Sequence, residues 1–199
     1  MRFRPLVYAM PVVAVAGLAA TAGCSSTSTT RPAARSAATT ATSMSATTVS
    51  AGGGTVHLTD YTDNDGPTST VILAGAIGDF GTARSVNPDG SANAEHTGQL
   101  NLSLSHGSFR LNIADLDRKF VGVLDNLAVN TTTCSSTVSV SGAVPVVPGS
   151  GTGSYKGISG TFNLTITLDE VYRRTACSET GAYLAQSIVT TGSGTVAIG

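Results

Sequence analysis

The sequence predicts an all-β domain, a small antiparallel β-barrel of about eight strands, behind a disordered N-terminal tether. Three observations predict it. From Thr55 onward apolar residues alternate with polar ones at period two, the pattern of strands with one buried face. Glycine-containing turn signals punctuate those runs at short intervals, as in small all-β domains. Ahead of them, Ser25 to Gly54 is Ser, Thr and Ala with almost no large apolar residue. Such a segment cannot bury enough surface to offset its chain entropy.

At the start of the chain, residues 1–23 have the form of a secretory leader: Arg2 and Arg4, then the apolar run "PLVYAMPVVAVAGLAATAG". The run ends at Cys24, and "TAGC" (Thr21–Cys24) resembles a bacterial lipobox. Thr21 departs from that motif, which usually carries Leu or Val there. The resemblance implies cleavage before Cys24 and a diacylglyceryl thioether on its sulfur. Each buried methylene contributes roughly 0.8 kcal/mol, so two acyl chains anchor stably where one does not. Cys24 is thus expected to be an anchor rather than a nucleophile. The protein is expected on the extracytoplasmic face of the cell membrane, with residues 24–54 as its tether, bare or O-glycosylated, and residues 55–199 as the displayed domain.

Within that domain "STVILAGAIG" (Ser69–Gly78) reads as a strand and "NPDG" (Asn87–Gly90) as a turn. In "GQLNLSLSHGSFRLNIAD" Leu100, Leu102 and Leu104 alternate with polar residues. A tight "HG" turn comes next, and Phe109, Leu111 and Ile113 alternate again, forming a β-hairpin. "ADLDRKFVGVLDNLA" (Ala114–Ala128) spaces Leu116, Phe120 and Leu124 in a partly helical way. Gly122 weakens a helix there, and the stretch is read as strand, turn and strand. "STVSVSGAVPVV" and "GTFNLTITLDEV" are strands, and "LAQSIVTTGSGTVAIG" closes the chain as a strand with a bulge expected near Gly192–Gly194.

Cys134 and Cys177 are left after Cys24. In an oxidising compartment two cysteines of one small domain read as a disulfide. Free thiols and a metal pair are the alternatives, but neither cysteine has a CxxC partner or a nearby histidine. The domain carries seven basic and twelve acidic residues, a net charge of −5. It lacks the basic footprint of a nucleic-acid binder.

"GSGTGSYKGISGTFNLTITLDEV" (Gly149–Val171) is glycine-rich, but the residues after Gly160 alternate as a strand. A phosphate loop needs a helix N-terminus at that place and a GK[ST] or GxGxxG spacing, both missing here. The pattern Gly151-x-Gly153-x-Tyr155-x-Gly157-Ile158-x-Gly160-x-Phe162 resembles the "GxGxYxGIxGxG" stretch of allene oxide cyclase and dirigent-like β-barrels. Phe162 stands where that family commonly has a small residue. The chain as a whole is similar to actinobacterial lipoproteins of unassigned activity that share "GAIGDFGTA", "EHTGQLNLSLSHGSFRL" and "GTGSYKGISGTFNLT". These resemblances imply an eight-stranded antiparallel barrel over Ser69–Gly199; the glycine motif itself reports fold, not chemistry.

Sites are sparse. Glu95 and His96 are neighbours that a strand would turn to opposite faces. His96 is expected at the surface, with a ligand or acid–base role as the alternative. His57 lies near the tether and His106 in the hairpin turn. "DYTDNDG" (Asp60–Gly66) fails the EF-hand spacing; a solvated turn is expected, a weak calcium site the alternative. Ser159 lacks the GxSxG elbow. Arg173 and Arg174 are expected as exposed loop charges, with an anion contact as the alternative. No cofactor and no metal site is expected. The inward faces of the barrel, Leu100, Leu102, Phe109, Leu111, Phe162, Leu164 and Ile166, either fill the interior or line a site for a small apolar ligand. Three functions therefore stand open: a ligand-binding envelope lipoprotein, a packed barrel that binds partners through its surface, and, by analogy with the allene oxide cyclase family alone, an isomerase or cyclase acting on a lipid-like substrate.

Overall fold

A computed structural model describes residues 52–63, 66–93, 98–177 and 183–199. The leader, Cys24, most of the tether, Glu95 and His96 lie outside the described residues. Eight strands form: β1 Gly54–Thr62, β2 Ser69–Gly75, β3 Asp79–Val86, β4 Gln99–Leu104, β5 Gly107–Asn112, β6 Ser135–Pro145, β7 Ser159–Tyr172 and β8 Tyr183–Ala197. Among the described residues one α-helix, α1 (Ala114–Leu124), links β5 to β6. All eight strands join one antiparallel sheet in the order β5-β4-β3-β2-β1-β8-β7-β6. Two meanders, β1 to β5 and β6 to β8, are thus zipped together by the long β1–β8 pairing, with Gly54 opposite Val196 and Thr62 opposite Ile188.

The strands are set by the period-two pattern. Val56, Leu58 and Asp60 of β1 point inward, as do the even-numbered residues Phe162 to Tyr172 of β7. Alternate residues are exposed or partly exposed, and hydroxyl pairs such as Ser139–Thr167 and Ser141–Thr165 line the outside. The sheet curls until β5 approaches the chain leaving β6. Leu111 bridges Val146 there. Val147 N–H donates to the Arg110 carbonyl (2.8 Å), Thr152 N–H to the Ser108 carbonyl (2.8 Å) and Ser154 N–H to the His106 carbonyl (2.9 Å). The β6–β7 connection therefore closes the barrel along β5 at one end.

That connection contains the glycine-rich stretch. It makes a short 3-10 turn, Gly153–Tyr155, that drives Tyr155 into the core, fully buried and edge-on to Phe109 at 5.3 Å. Gly153 has φ +56°, and a Cβ there would collide with the His106 carbonyl oxygen. The glycine serves the close approach of two backbones.

Two expectations fail. The stretch Ala114–Ala128 is not strand, turn and strand, because Ala114–Leu124 is helical. The Asn112 side chain accepts the Ala114 N–H (3.3 Å), Asp115 and Asp117 occupy the first turn, and Leu116 is buried against β6. Gly122 faces open space on the far side. Packing of Leu116 and Phe120 over the gap between β5 and β6 overrides the weak intrinsic propensity. The bulge near Gly192–Gly194 is likewise absent: β7 and β8 keep register through both, and the irregularity falls at Val171/Tyr172. A Cβ at Gly192 would strike the Asn163 carbonyl oxygen. Tight curvature, not an inserted residue, requires that glycine.

The helix makes a prediction that a strand would not. In chemical denaturation Gly122→Ala should stabilise by about 0.5–1 kcal/mol, while Leu116→Ala should cost about 2–4 kcal/mol. Destabilisation by Gly122→Ala would contradict a helix at that position.

Candidate functional site

The two ends of the barrel differ. At the end closed by the β6–β7 connection, Asp79, at the start of β3, accepts from five donors and has a histidine ring nitrogen beside it. Oδ1 accepts the Phe80 N–H (2.7 Å), the Ser105 N–H (3.2 Å) and the Ser105 hydroxyl. Oδ2 accepts the Tyr155 hydroxyl (2.5 Å) and the His106 N–H (3.1 Å), and His106 Nδ1 lies 3.1 Å away. Burial by itself would raise this carboxyl. The bonds from Ser105, Tyr155, Phe80 and His106 outweigh it and hold Asp79 below the usual carboxylate range. Burial and the Asp79 carboxylate in turn push the Tyr155 phenol above its ordinary value.

Serine, histidine and aspartate meet here, but not as a proton relay. His106 Nδ1 faces both Asp79 and Ser105 Oγ, the latter at 3.0 Å. A relay needs the two partners on opposite ring nitrogens. His106, which the hairpin reading leaves in solvent, is half-exposed and helps clamp the turn.

The other end is open. A cavity of about 340 Å³ lies under α1, between the near ends of β1 to β4 and the halves of β7 and β8 beyond the packed core. Its walls are mainly apolar: Leu100, Ile113, Leu116, Phe120, Leu164 and Ile188 among them. That volume is at the small end of the range typical of ligand pockets. Hydroxyls of Thr62, Thr68, Ser69, Ser85 and Thr190 also line it, with Asp60 from β1, Asp117 from α1 and Gln186 from β8. Asp60 and Asp117 are 7% and 9% exposed. Among the described residues four buried side-chain atoms lack a hydrogen-bond partner, and three belong to this cavity: Asp60 Oδ1, Asp117 Oδ2 and Gln186 Oε1. Buried polar atoms are almost always paired, so three orphans in one cavity mark it out.

Desolvation raises Asp60 to about 6, with the Ser69 hydroxyl offsetting part of the rise. Desolvation raises Asp117 to about 7, offset in part by the Gly98 N–H. Behind the cavity Gln186 Nε2 donates to Glu170 Oε1 (2.8 Å), and Glu170 also accepts from Tyr172 and from Ser136 (3.3 Å). The Cys134–Cys177 disulfide, with Cα atoms 5.2 Å apart, ties the start of β6 to the segment after β7 at this same end.

The predicted interior residues divide between the two ends. Leu102, Phe109, Leu111 and Phe162 are fully buried in the packed core and do not line the cavity. Leu164, Leu100 and Ile166 do line it. Asp60, grouped by sequence with a solvated acidic turn, instead points inward; Asn64 and Asp65 of that turn are outside the described residues. Arg173 and Arg174 are exposed, and His57 sits exposed on β1. Asp117 and Gln186 carry no sequence motif. Asp60 does carry a signal: it continues the inward phase of Val56 and Leu58. Comparison with known proteins finds no matching family model, no similar curated protein and no similar solved structure.

The carboxyl pair fixes a pH dependence. Asp60 and Asp117 titrate in the folded protein above the ordinary value of 3.8. Between about pH 4 and pH 7 the folded state therefore holds more protons than the unfolded chain, and stability falls as pH rises through that window. Asp79 works in the opposite sense: its contribution is complete above the ordinary carboxylate range and is lost on acidification below it. Thermal unfolding should show greatest stability at about pH 4, at the foot of that window, and a decline from there towards pH 7. The Asp60→Asn/Asp117→Asn double variant should flatten the decline towards pH 8 and gain on the order of several kcal/mol there. An unchanged slope in that variant would contradict the burial of the pair.

Proposed function

We propose that this chain is a lipid-anchored cell-envelope protein whose barrel binds a small, largely apolar ligand outside the cytoplasmic membrane. The observation that carries the reading is the apolar cavity beneath α1 with its three unpartnered polar atoms. A barrel made only for rigidity has no reason to keep them, since each costs roughly 1–3 kcal/mol unpaired. The "TAGC" motif ahead of a polar tether supports the anchor. The disulfide is consistent with an exported domain. The glycine pattern of Gly151–Phe162 supports kinship with allene oxide cyclase and dirigent-like barrels.

A second reading draws on the same carboxyls. Asp60 and Asp117, raised to about 6 and about 7, lie where general acids and bases are most effective near neutrality. They suit proton transfer in an isomerisation or cyclisation of an apolar substrate.

Two measurements test the reading. Intact-mass analysis of the chain from a bacterial host should show loss of residues 1–23 and a diacylglyceryl adduct on Cys24, both abolished by Cys24→Ser. A protein cleaved elsewhere, with an unmodified Cys24, would refute the anchor. Native mass spectrometry of residues 24–199 carrying Cys24→Ser, exported behind a separate cleavable secretory leader and purified without detergent, should show a bound small molecule released on denaturation. Leu164→Trp, which fills the cavity, should abolish it. If the bound mass persists in Leu164→Trp, the cavity is not the site. Release of the molecule in altered form would favour the enzymatic reading.

A further inference from the structure

The cavity's orphan atoms have one chemistry. Asp60 Oδ1 and Asp117 Oδ2 are carboxylate oxygens, and Gln186 is oriented by Glu170, which takes its Nε2 at 2.8 Å. What Gln186 presents unpartnered is therefore its carbonyl Oε1. With both carboxyls ionised, as at pH 8, all three atoms accept hydrogen bonds and none donates. A partner must bring donors.

The surrounding charge points the same way. From β7, Glu170 stands behind Gln186, adding a third acid on that side. The one basic residue along the cavity is Arg84 of β3, whose side chain is exposed on the outer face. No lysine or arginine is among the buried lining residues, and neither Asp60 nor Asp117 forms an ion pair among the described residues. Carboxylates buried at 7% and 9% exposure without a counter-charge are costly, and a cation removes that cost. The remaining walls are mainly hydrocarbon, from Leu100, Leu116, Phe120, Leu164 and Ile188 among others, with uncharged hydroxyls such as those of Ser69 and Thr190.

We propose that the cavity selects an amphipathic amine: a protonated ammonium head held by Asp60, Asp117 and Gln186, on an apolar body packed beneath α1. An ammonium offers three N–H donors to three waiting acceptors, and charge-assisted bonds of this kind are the strong ones. An alcohol of the same shape offers one donor and no charge. A fatty carboxylate offers none and is repelled. The proposal rests on the cavity being a ligand site, and the test separates the two.

The mature chain with Cys24→Ser is titrated calorimetrically at pH 8 with decylammonium, decan-1-ol and decanoate, each below its micellar concentration. Decylammonium should bind at least about tenfold more tightly than decanol, and decanoate should not bind. Asp60→Asn and Asp117→Asn should each weaken the amine by about tenfold, and the double variant should bring amine and alcohol to within about threefold. Unfolding curves of the variants check that they fold. Equal binding of amine and alcohol by the natural cavity overturns the amine selectivity and leaves the ligand site standing. Preferential binding of decanoate overturns the selectivity in the same way. Failure of all three probes to bind overturns both.

Discussion

An antiparallel sheet of eight strands has two edges, and the structure of this chain depends on how they are satisfied. β5 and β6 come round to face each other but do not form a ladder. Their unpaired backbone groups would be both a desolvation cost and a template for aggregation. Two different devices close the seam. Along β5 the loop from Val146 to Ser154 supplies backbone donors one after another. Beyond Asn112 the strand ends, and α1 lies across what is left against β6. One device is a hydrogen-bonded seal and the other an apolar lid.

The contrast between the ends arises from that difference. A backbone-to-backbone seal brings chains within hydrogen-bond distance and leaves no room, so the closed end is solid. Phe109, Tyr155 and Phe162 fill it, and Asp79 ties three turns together there through Phe80, Ser105, His106 and Tyr155. A helix, about 10 Å across with its side chains, stands off the sheet. It covers the opening without filling it. The cavity is thus a product of the way the seam is closed, and its lining includes residues from α1 itself, Leu116, Asp117 and Phe120.

Much of this was legible in the sequence because strand phase is a local property. Period two places Leu102, Phe109, Leu111, Phe162 and Leu164 inward, and each is buried. The glycine-rich stretch reads correctly as a bend between strands because β7, and not a helix, begins directly after it. The pairing of Cys134 with Cys177 needs only two cysteines and an oxidising compartment. The helix was not legible, because its stability comes from a gap in the sheet that exists only after β5 and β6 have curled together. Locally, Gly122 counts against it; in the fold Gly122 faces solvent and costs little. The cavity was hidden for the same reason. Asp117 belongs to a site only once α1 is a helix, and Gln186 only once β8 lies beside β1. Asp60 was within reach, since it keeps the phase of Val56 and Leu58, but its acidic neighbours suggest a turn.

The placement of the acids contrasts a fully partnered buried carboxylate with a partly unpaired one. Asp79 and Asp60 are both inward-facing and nearly equally buried, at 5% and 7% exposure. Asp79 receives donors on both oxygens, so its charge is stabilised and its burial strengthens the fold. Asp60 has Ser69 on one side and nothing on the other, so its charge is penalised. The same residue type in the same kind of position thus contributes stability at one end and strain at the other. Replacing Asp60 and Asp117 with neutral or apolar residues would remove that strain without disturbing a single strand pairing, because neither side chain takes part in one. On the proposed reading, that strain is what a ligand would relieve. The lining of the cavity would then suit the proposed ligand, with hydrocarbon against an apolar body and acceptors facing its donors.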